Sequence, residues 1–419
     1  MPRQYKIKRS AEMMGRHRAR KRPVVVIFWA VIVAGLVYLG ILIYPPIHSA
    51  IMNWESGRGN AALPQLPGTG ATEPGDEQQA VVAPPPVVRA GNLRAVYAPP
   101  ALLADEAGFG AFISGLSGAG LNAVMVDIKS ADGEVLFASQ NQNANDWGAV
   151  VEDAFDLAAL SEQLAGEGLF LVVRMSAFRD EIAARGQYSY SVLWQGADTG
   201  LRWLDNLPGV GRPWLSPHSE GARAYITELA LEAAEAGAVM VVLDDVQFPP
   251  NSLTDDAYFG ETGGLSRTQR LAAFAQDITE TLAREGVRAA IYMPAIELVA
   301  DQPNITFFGG PPAEILAEHT VLGALPYQFP PLGFESELLQ LPDPLDDLSD
   351  TLTQVIGAVR GLTDSGLIVL IQGGSLPLGG MHYTDEQIMA QVETLAGLGI
   401  EEFIFFATYV GQYQLAIGD

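Results

Sequence analysis

From residue 93 onward the chain alternates short, almost wholly apolar runs with longer segments in which apolar residues recur at helical spacing. Strands buried on both faces read as continuous apolar runs, and regular alternation of strand and helix produces a parallel sheet covered by helices. Eight such runs stand at 93–98, 122–128, 169–176, 239–244, 288–294, 321–327, 367–372 and 402–408. Helical patterns fall between them, at 156–164, 220–236, 266–285, 345–360 and 384–398, while Gly120, Gly168, Gly237, Gly286, Gly366 and Gly399 stand where helix C-caps belong. Eight strands in strict alternation over residues 91–419 predict an α/β fold of the (β/α)8 TIM barrel type. A doubly wound open sheet is the competing architecture, but it typically has a Gly-rich turn after its first strand, where this chain reads Tyr97-Ala-Pro-Pro100. Joins from helix to strand are short, whereas those after the second, third and fourth strands are long, which assigns function to that end of the barrel.

Two of the apolar runs end in charge. The second reads Asn122-Ala-Val-Met-Val-Asp-Ile-Lys129, and Lys129 is the one lysine after residue 22. Residues i and i+2 of a strand share a face, so Asp127 and Lys129 are expected side by side at the strand terminus. The fourth run, Val239-Met-Val-Val-Leu-Asp-Asp245-Val-Gln-Phe-Pro249, ends in two carboxylates and then a proline, which cannot donate to a sheet ladder.

Barrel active sites form at the C-terminal ends of the strands. That rule gathers Tyr97, Asp127, Lys129, Arg174, Asp244, Asp245, Tyr292, Tyr327, Gln328, Gln372 and Tyr409. Glycoside hydrolysis requires a protonated carboxyl to assist the leaving oxygen and an ionised one as nucleophile or base. Asp244 is the first candidate, because an apolar run leading into a carboxyl implies burial, and burial raises its pKa. Asp127 is the candidate second carboxylate. Lys129, Arg174, Asp245, Tyr97, Tyr292, Tyr327 and Gln372 are candidate substrate contacts. Beside these stand plainer readings: an ion pair of Asp127 with Lys129 or Arg174, and a loop-ordering role for Asp245. Trp147, Trp194, Trp203 and Trp214 fall in the second and third strand-to-helix loops. Trp147 and Trp194 are the candidate sugar platforms, against the alternative that such rings simply pack the loops.

The N-terminal part is of another kind. Residues 1–22 hold nine Lys and Arg against one acid, and the rest of the chain holds 15 against 48. Residues 23–44 carry no charge, and this length at about 1.5 Å per residue spans a hydrocarbon core of roughly 30 Å. A transmembrane helix is expected there, with the basic tail cytoplasmic and residues 91–419 outside, as a single-pass protein of the cell membrane. A cleaved signal peptide is the rival reading. Its apolar region runs about 7–15 residues to an A-x-A-like site, whereas this longer run closes on Tyr44-Pro-Pro-Ile-His-Ser-Ala50. Residues 45–90, with Val82-Ala-Pro-Pro-Pro86, read as a Pro- and Gly-rich tether.

Composition narrows the function classes. The chain has no cysteine, so disulfides, thiolate metal sites and a Cys nucleophile are excluded. A net charge of −25 argues against a nucleic-acid partner, because phosphate contacts need Lys and Arg. The five histidines, His17, His48, His218, His319 and His382, form no zinc spacing, and no G-x-S-x-G elbow is present. Asp244, Asp245, Asp255, Asp256 and Glu261 lack the spaced pattern of a calcium loop. No cofactor is expected. The partners read from the residues are a poly- or oligosaccharide and the membrane.

Three blocks carry a resemblance: Leu121-Asn-Ala-Val-Met-Val-Asp-Ile-Lys-Ser-Ala-Asp-Gly133, Val173-Arg-Met-Ser-Ala-Phe-Arg-Asp180 and Leu243-Asp-Asp-Val-Gln-Phe-Pro249. Arg212-Pro-Trp-Leu-Ser-Pro217 and Gln391-Val-Glu-Thr-Leu-Ala-Gly-Leu-Gly399 add to it. On these the chain, over residues 93–413, resembles a bacterial family of glycosyl hydrolase-like domains, (β/α)8 barrels distantly related to the α-amylase type. The resemblance implies a carbohydrate-active barrel with Asp127, Lys129, Arg174 and Asp244 in the site. The family's fourth-strand motif reads Asp-Tyr-x-Arg-Phe-Pro, where this chain has Asp244-Asp-Val-Gln-Phe-Pro249. Relatives carry an acid at the end of strand five, where Tyr292-Met-Pro-Ala-Ile296 offers none before Glu297, the other candidate for second carboxylate that the resemblance implies, and Trp-Asn at strand eight, where this chain has Ala407-Thr408. The competing function is a non-catalytic barrel that binds envelope glycans or a protein partner.

Overall fold

The computed structural model describes residues 93–195, 200–206, 210–250, 256–301, 305–374 and 383–407. The expected basic tail, membrane helix and tether lie outside the described residues, as do Asp255, His382 and Tyr409. Among the described residues no helix is long and apolar enough to cross a membrane.

Eight parallel strands close into a barrel: β1 (Arg94–Ala98), β2 (Ala123–Lys129), β3 (Phe170–Ser176), β4 (Ala238–Asp244), β5 (Arg288–Pro294), β6 (His319–Gly323), β7 (Gly366–Gln372) and β8 (Phe403–Phe406). Each pairs with the next, and β1 also pairs with β8, Arg94 against Phe403, so the barrel has no free edge. The covering helices are α1 (Glu106–Ser114), α2 (Leu157–Gly166), α3 (Glu220–Glu235), α4 (Arg267–Arg284), the short α5 (Ala295–Val299), α6 (Leu348–Arg360) and α7 (Asp385–Gly397). Their starts are set by side chains that accept from orphan amides: Asp156 before α2, and Ser266 and Thr384 in capping boxes with Gln269 and Gln387. Gly168 and Gly237 close α2 and α3 with φ of 73° and 98°, a backbone that disfavours other residues, whereas Gly366 does not cap a helix but opens β7.

Alternation along each strand sorts the side chains. Small residues Ala95, Ala123 and Ala290 share the barrel interior with Met125, Met240, Val321 and Ile368, while Val124, Val126, Val173, Val241 and Leu243 face the helices. The sixth strand departs from expectation. It stops at Gly323, because Pro326 lacks an N–H for the ladder and begins a 3-10 turn, Pro326–Gln328, that carries Tyr327 past the strand end.

A second departure lies in β2. Asp127 pairs with Arg174, but Lys129 pairs with Met175, so two residues of β2 advance against one of β3. The slip reverses the expected common face. Asp127 points inward, and Lys129 turns to the outer side, where its ammonium lies 2.9 Å from Asp180 with neither side chain exposed. That ion pair falls short of hydrogen-bond geometry, the Lys129 Nζ donating instead to the Ser176 carbonyl at 2.8 Å. Asp180 also accepts from the Ala183 amide at 2.7 Å, capping the helix Glu181–Gly186. The pair thereby pins the loop after β3 to the end of β2. Lys129→Ala leaves a buried carboxylate alone and is expected to destabilise the chain by about 3–5 kcal/mol in urea unfolding, whereas the double change with Asp180→Ala recovers part of that loss. Equal losses in the single and double variants would show that the pair has no coupling.

Candidate active site

Inward-facing residues at the strand ends build the mouth. Tyr97 from β1, Asp127 from β2, Arg174 from β3, Asp244 from β4, Tyr292 from β5 and Phe406 from β8 ring its opening. Arg174 meets Asp127 side-on through its Nε–Nη2 edge, Nε donating to Oδ1 at 2.6 Å and Nη2 to Oδ2 at 3.0 Å. The Tyr97 hydroxyl donates to Asp127 Oδ2 at 2.6 Å. The rings of Tyr97 and Phe406 stack at 4.9 Å and lie 4.9 and 5.4 Å from the guanidinium carbon. Burial works against the charge on Arg174, but the facing Asp127 carboxylate and its hydrogen bonds, with Asp244 beyond, hold its pKa above the ordinary value.

Asp244 is held differently. It is half-buried, and it accepts a hydrogen bond from the Asp245 amide at 2.8 Å. Burial and the Asp245 charge, with Asp127 beyond, outweigh the pull of Arg174 and push its pKa up to about 7. Asp245 sits at φ 51°, left-handed backbone that Asp tolerates better than most residues, and this geometry turns its amide onto Asp244. Its carboxylate faces away from the mouth to the Ser176 hydroxyl, which donates at 2.7 Å. Asp245 thus takes the loop-ordering position.

Tyr292 and Gln328 face one another, the Gln328 amide donating to the phenol at 2.7 Å. A Cβ on Gly323 would come within 2.5 Å of that hydroxyl, so the missing side chain on β6 is what admits the ring. Burial and then the Asp244 charge raise the Tyr292 pKa. Tyr327 is 43% exposed, and the charge of Arg174 reaches it. Gln372 is buried, its amide donating to the Gly374 carbonyl, and its Oε1 has no partner among the described residues.

The structure therefore brings Tyr97, Asp127, Arg174, Asp244, Tyr292 and Tyr327 together. Lys129 is not a substrate contact, being sealed against Asp180 behind the strand. Glu297 stands in the first turn of α5, half-buried, while the charged groups acting on Asp244 are Asp245, Arg174 and Asp127. Trp147 is no sugar platform either: it packs against Tyr190 and Tyr225 at 5.8 and 5.2 Å, over Gly186. Trp203 and Trp214 are buried, and Trp194 is 43% exposed on a two-residue strand paired with Ala257–Tyr258. Phe406 is the mouth residue that the reading of the sequence lacks, although period-two alternation from Ile404 points to it. Among the described residues no cluster of three or more His, Asp or Glu is placed to hold a metal.

The chain belongs to the family described as "Putative glycosyl hydrolase domain", whose profile matches residues 95–411. Among solved structures, the PgaB (BpsB) glycoside hydrolase domain from Bordetella bronchiseptica is 16% identical with a TM-score of 0.50, the match covering 77% of this chain and 96% of that one. A hypothetical protein from Ruminiclostridium thermocellum ATCC 27405 is 22% identical, covering 47% of this chain and 96% of that one at a TM-score of 0.41. The catalytic domain of a beta-amylase from Paenibacillus polymyxa is 13% identical, covering 75% and 92% at 0.42. At 16% identity the likeness to the PgaB (BpsB) domain is one of fold. No curated protein matches the sequence.

The raised pKa of Asp244 has a consequence for stability. The folded chain holds this proton more tightly than the unfolded one, whose value is near 3.8, so the stabilisation is full below about pH 4 and is lost as pH rises to about 7. Asp244→Asn removes the ionisation and is expected to unfold in more urea than the wild type at pH 8, by up to about 4 kcal/mol, with little difference at pH 4. A gain independent of pH would show that Asp244 does not hold its proton in this way.

Proposed function

We propose that this protein is a membrane-anchored glycoside hydrolase that cleaves a polysaccharide outside the cytoplasm, with Asp244 as the proton donor to the leaving oxygen. The observation that carries the reading is the position of the Asp244 carboxyl at the end of β4, where burial and the Asp245 charge push its pKa up to about 7, in the same mouth as a carboxylate held by an arginine. Membership of the glycosyl hydrolase family supports the reaction class. In this reading Asp127, oriented by its bidentate pairing with Arg174, places a carboxylate that stabilises an oxocarbenium-like transition state, and the Asp244 carboxylate left after donation takes the proton of the water that completes hydrolysis. Tyr97 and Arg174 keep that carboxylate oriented, Tyr292 and Tyr327 border the sugar, and Trp194 offers an exposed ring for stacking. Residues 23–44 supply the anchor and residues 45–90 the reach from the bilayer.

The same bidentate pair also favours a second reading, a barrel that binds glycans without cleaving them, since a carboxylate locked by Arg174 is a poor nucleophile or base. New reducing ends, measured on the full-length chain with a panel of bacterial and plant polysaccharides, separate the two. Release by the wild type, reduced about 10²–10⁴-fold in Asp244→Asn, is expected. The deficit should shrink on aryl glycosides whose leaving group needs no proton. Absence of release from every polysaccharide, with binding kept in both proteins, would establish the binding barrel.

Asp245 tunes this acid. Asp245→Asn removes a negative charge beside Asp244 and keeps a residue type that accepts left-handed backbone, so Asp244 loses its proton at lower pH. The alkaline limb of the rate profile is expected to move down by about one pH unit. A limb that stays in place would assign it to another group.

A further inference from the structure

The loops after β3 and β4 and the first turns of α3 and α4 enclose a cavity of about 540 Å³, within the size range of small-molecule sites. None of Tyr97, Asp127, Arg174 and Asp244 lines it. Its wall holds His218, Arg223 and Arg270, and its opening carries Tyr188 and Tyr258, each more than a third exposed. His218 is 7% exposed, and its Nδ1 has no hydrogen-bond partner among the described residues. The Nε of Arg270 is likewise buried and without a partner among them. Arg223 donates to the Pro217 carbonyl at 2.7 Å, and neither arginine has a carboxylate within ion-pair distance among the described residues.

Buried polar atoms are normally satisfied, and buried cations are normally paired. Here the positive charges accumulate. Arg223 and Arg270 each stand in the opening turns of a helix, where the dipole already favours anions, and Arg267 at the start of α4 adds a third charge. The cluster is felt at its centre: burial, then Arg270, Arg223 and Arg267, push the His218 pKa down to about 4. Burial and Arg270 also lower the pKa of Arg223, with Glu220 and Asp277 acting in the opposite sense. Glu220 and Glu261 line the cavity too, but both are exposed, and Glu261 accepts from the Tyr258 hydroxyl at 3.3 Å. In a chain of net charge −25, such a concentration of guanidinium groups around an unsatisfied imidazole is a built feature.

We infer that this cavity binds an oxyanion substituent on a sugar, a carboxylate, phosphate or sulfate, through Arg223, Arg270 and the Nδ1 of His218. The inference rests on the glycan reading above and gives that glycan a charge. Guanidinium forks supply paired donors to such a group, and the Tyr188 and Tyr258 rings give the attached sugar two apolar faces.

Calorimetric titration of the full-length chain with glucuronate, glucose 6-phosphate, glucose 6-sulfate and glucose, at fixed chloride, tests it. At least one charged sugar is expected to saturate and glucose not to, and the tightest arm identifies the oxyanion. Arg223→Gln and Arg270→Gln are expected to weaken that binding about tenfold or more, with Arg270→Lys falling between. A measurement on the unaltered chain guards against misfolded variants: the His218 ring, followed by NMR, should titrate at higher pH once the bound anion offsets the neighbouring guanidinium groups. Asp244→Asn should bind the charged sugar as the wild type does, so a failure of the hydrolase reading leaves this result standing. The inference is overturned if no charged sugar exceeds glucose, or if binding survives both glutamine variants and leaves His218 unmoved.

Discussion

A guanidinium in the middle of a barrel mouth has to be paired, and the way Arg174 is paired arranges everything around it. Asp127 takes its Nε–Nη2 edge with both carboxylate oxygens, and Tyr97 and Phe406 stack beside it. These partners come from β2, β1 and β8, so the interlock runs from β3 across the seam where the barrel closes. Desolvating a cation and an anion together is tolerable only with such complete hydrogen bonding. Asp127 is thereby held at both oxygens, whereas Asp244 has no such arginine clamp. Its pKa is a balance in which burial, Asp245 and Asp127 act against Arg174 and the Asp245 amide.

Much of the fold was legible in the sequence because its signals are local. Apolar runs mark strands buried on both faces, and Ser266 with Gln269, or Thr384 with Gln387, marks a helix start within four residues. The mouth was legible where alternation holds, at Tyr97, Asp127, Arg174 and Asp244. It failed at Lys129 because a bulge adds one residue to a strand without changing its composition, and a single extra residue reverses the face. The partner did leave a trace: a lone lysine in a core-forming run needs an acid, and Asp180 closes one of the blocks that carry the family resemblance.

Other residues were illegible for a different reason. Trp147 and Trp194 look alike in sequence, and only the packing of Tyr190 and Tyr225 against one of them decides which ring faces solvent. His218, Arg223 and Arg270 come from a loop and two helices, so no spacing announces that they meet. Tyr327 leaves the ladder because Pro326, with no N–H to donate, ends the strand inside an otherwise strand-like run.

The slipped register at the end of β2 gives one strand two addresses. Asp127 reports to the chemistry inside the barrel, and Lys129 to the scaffold that carries the loops outside it. Loop anchorage and mouth meet at Ser176, whose carbonyl accepts from Lys129 and whose hydroxyl donates to Asp245. The peg that holds the segments after β2 and β3 is thus one residue away from the carboxylate that neighbours Asp244, so rebuilding those loops around an altered peg also disturbs the charge balance of the mouth.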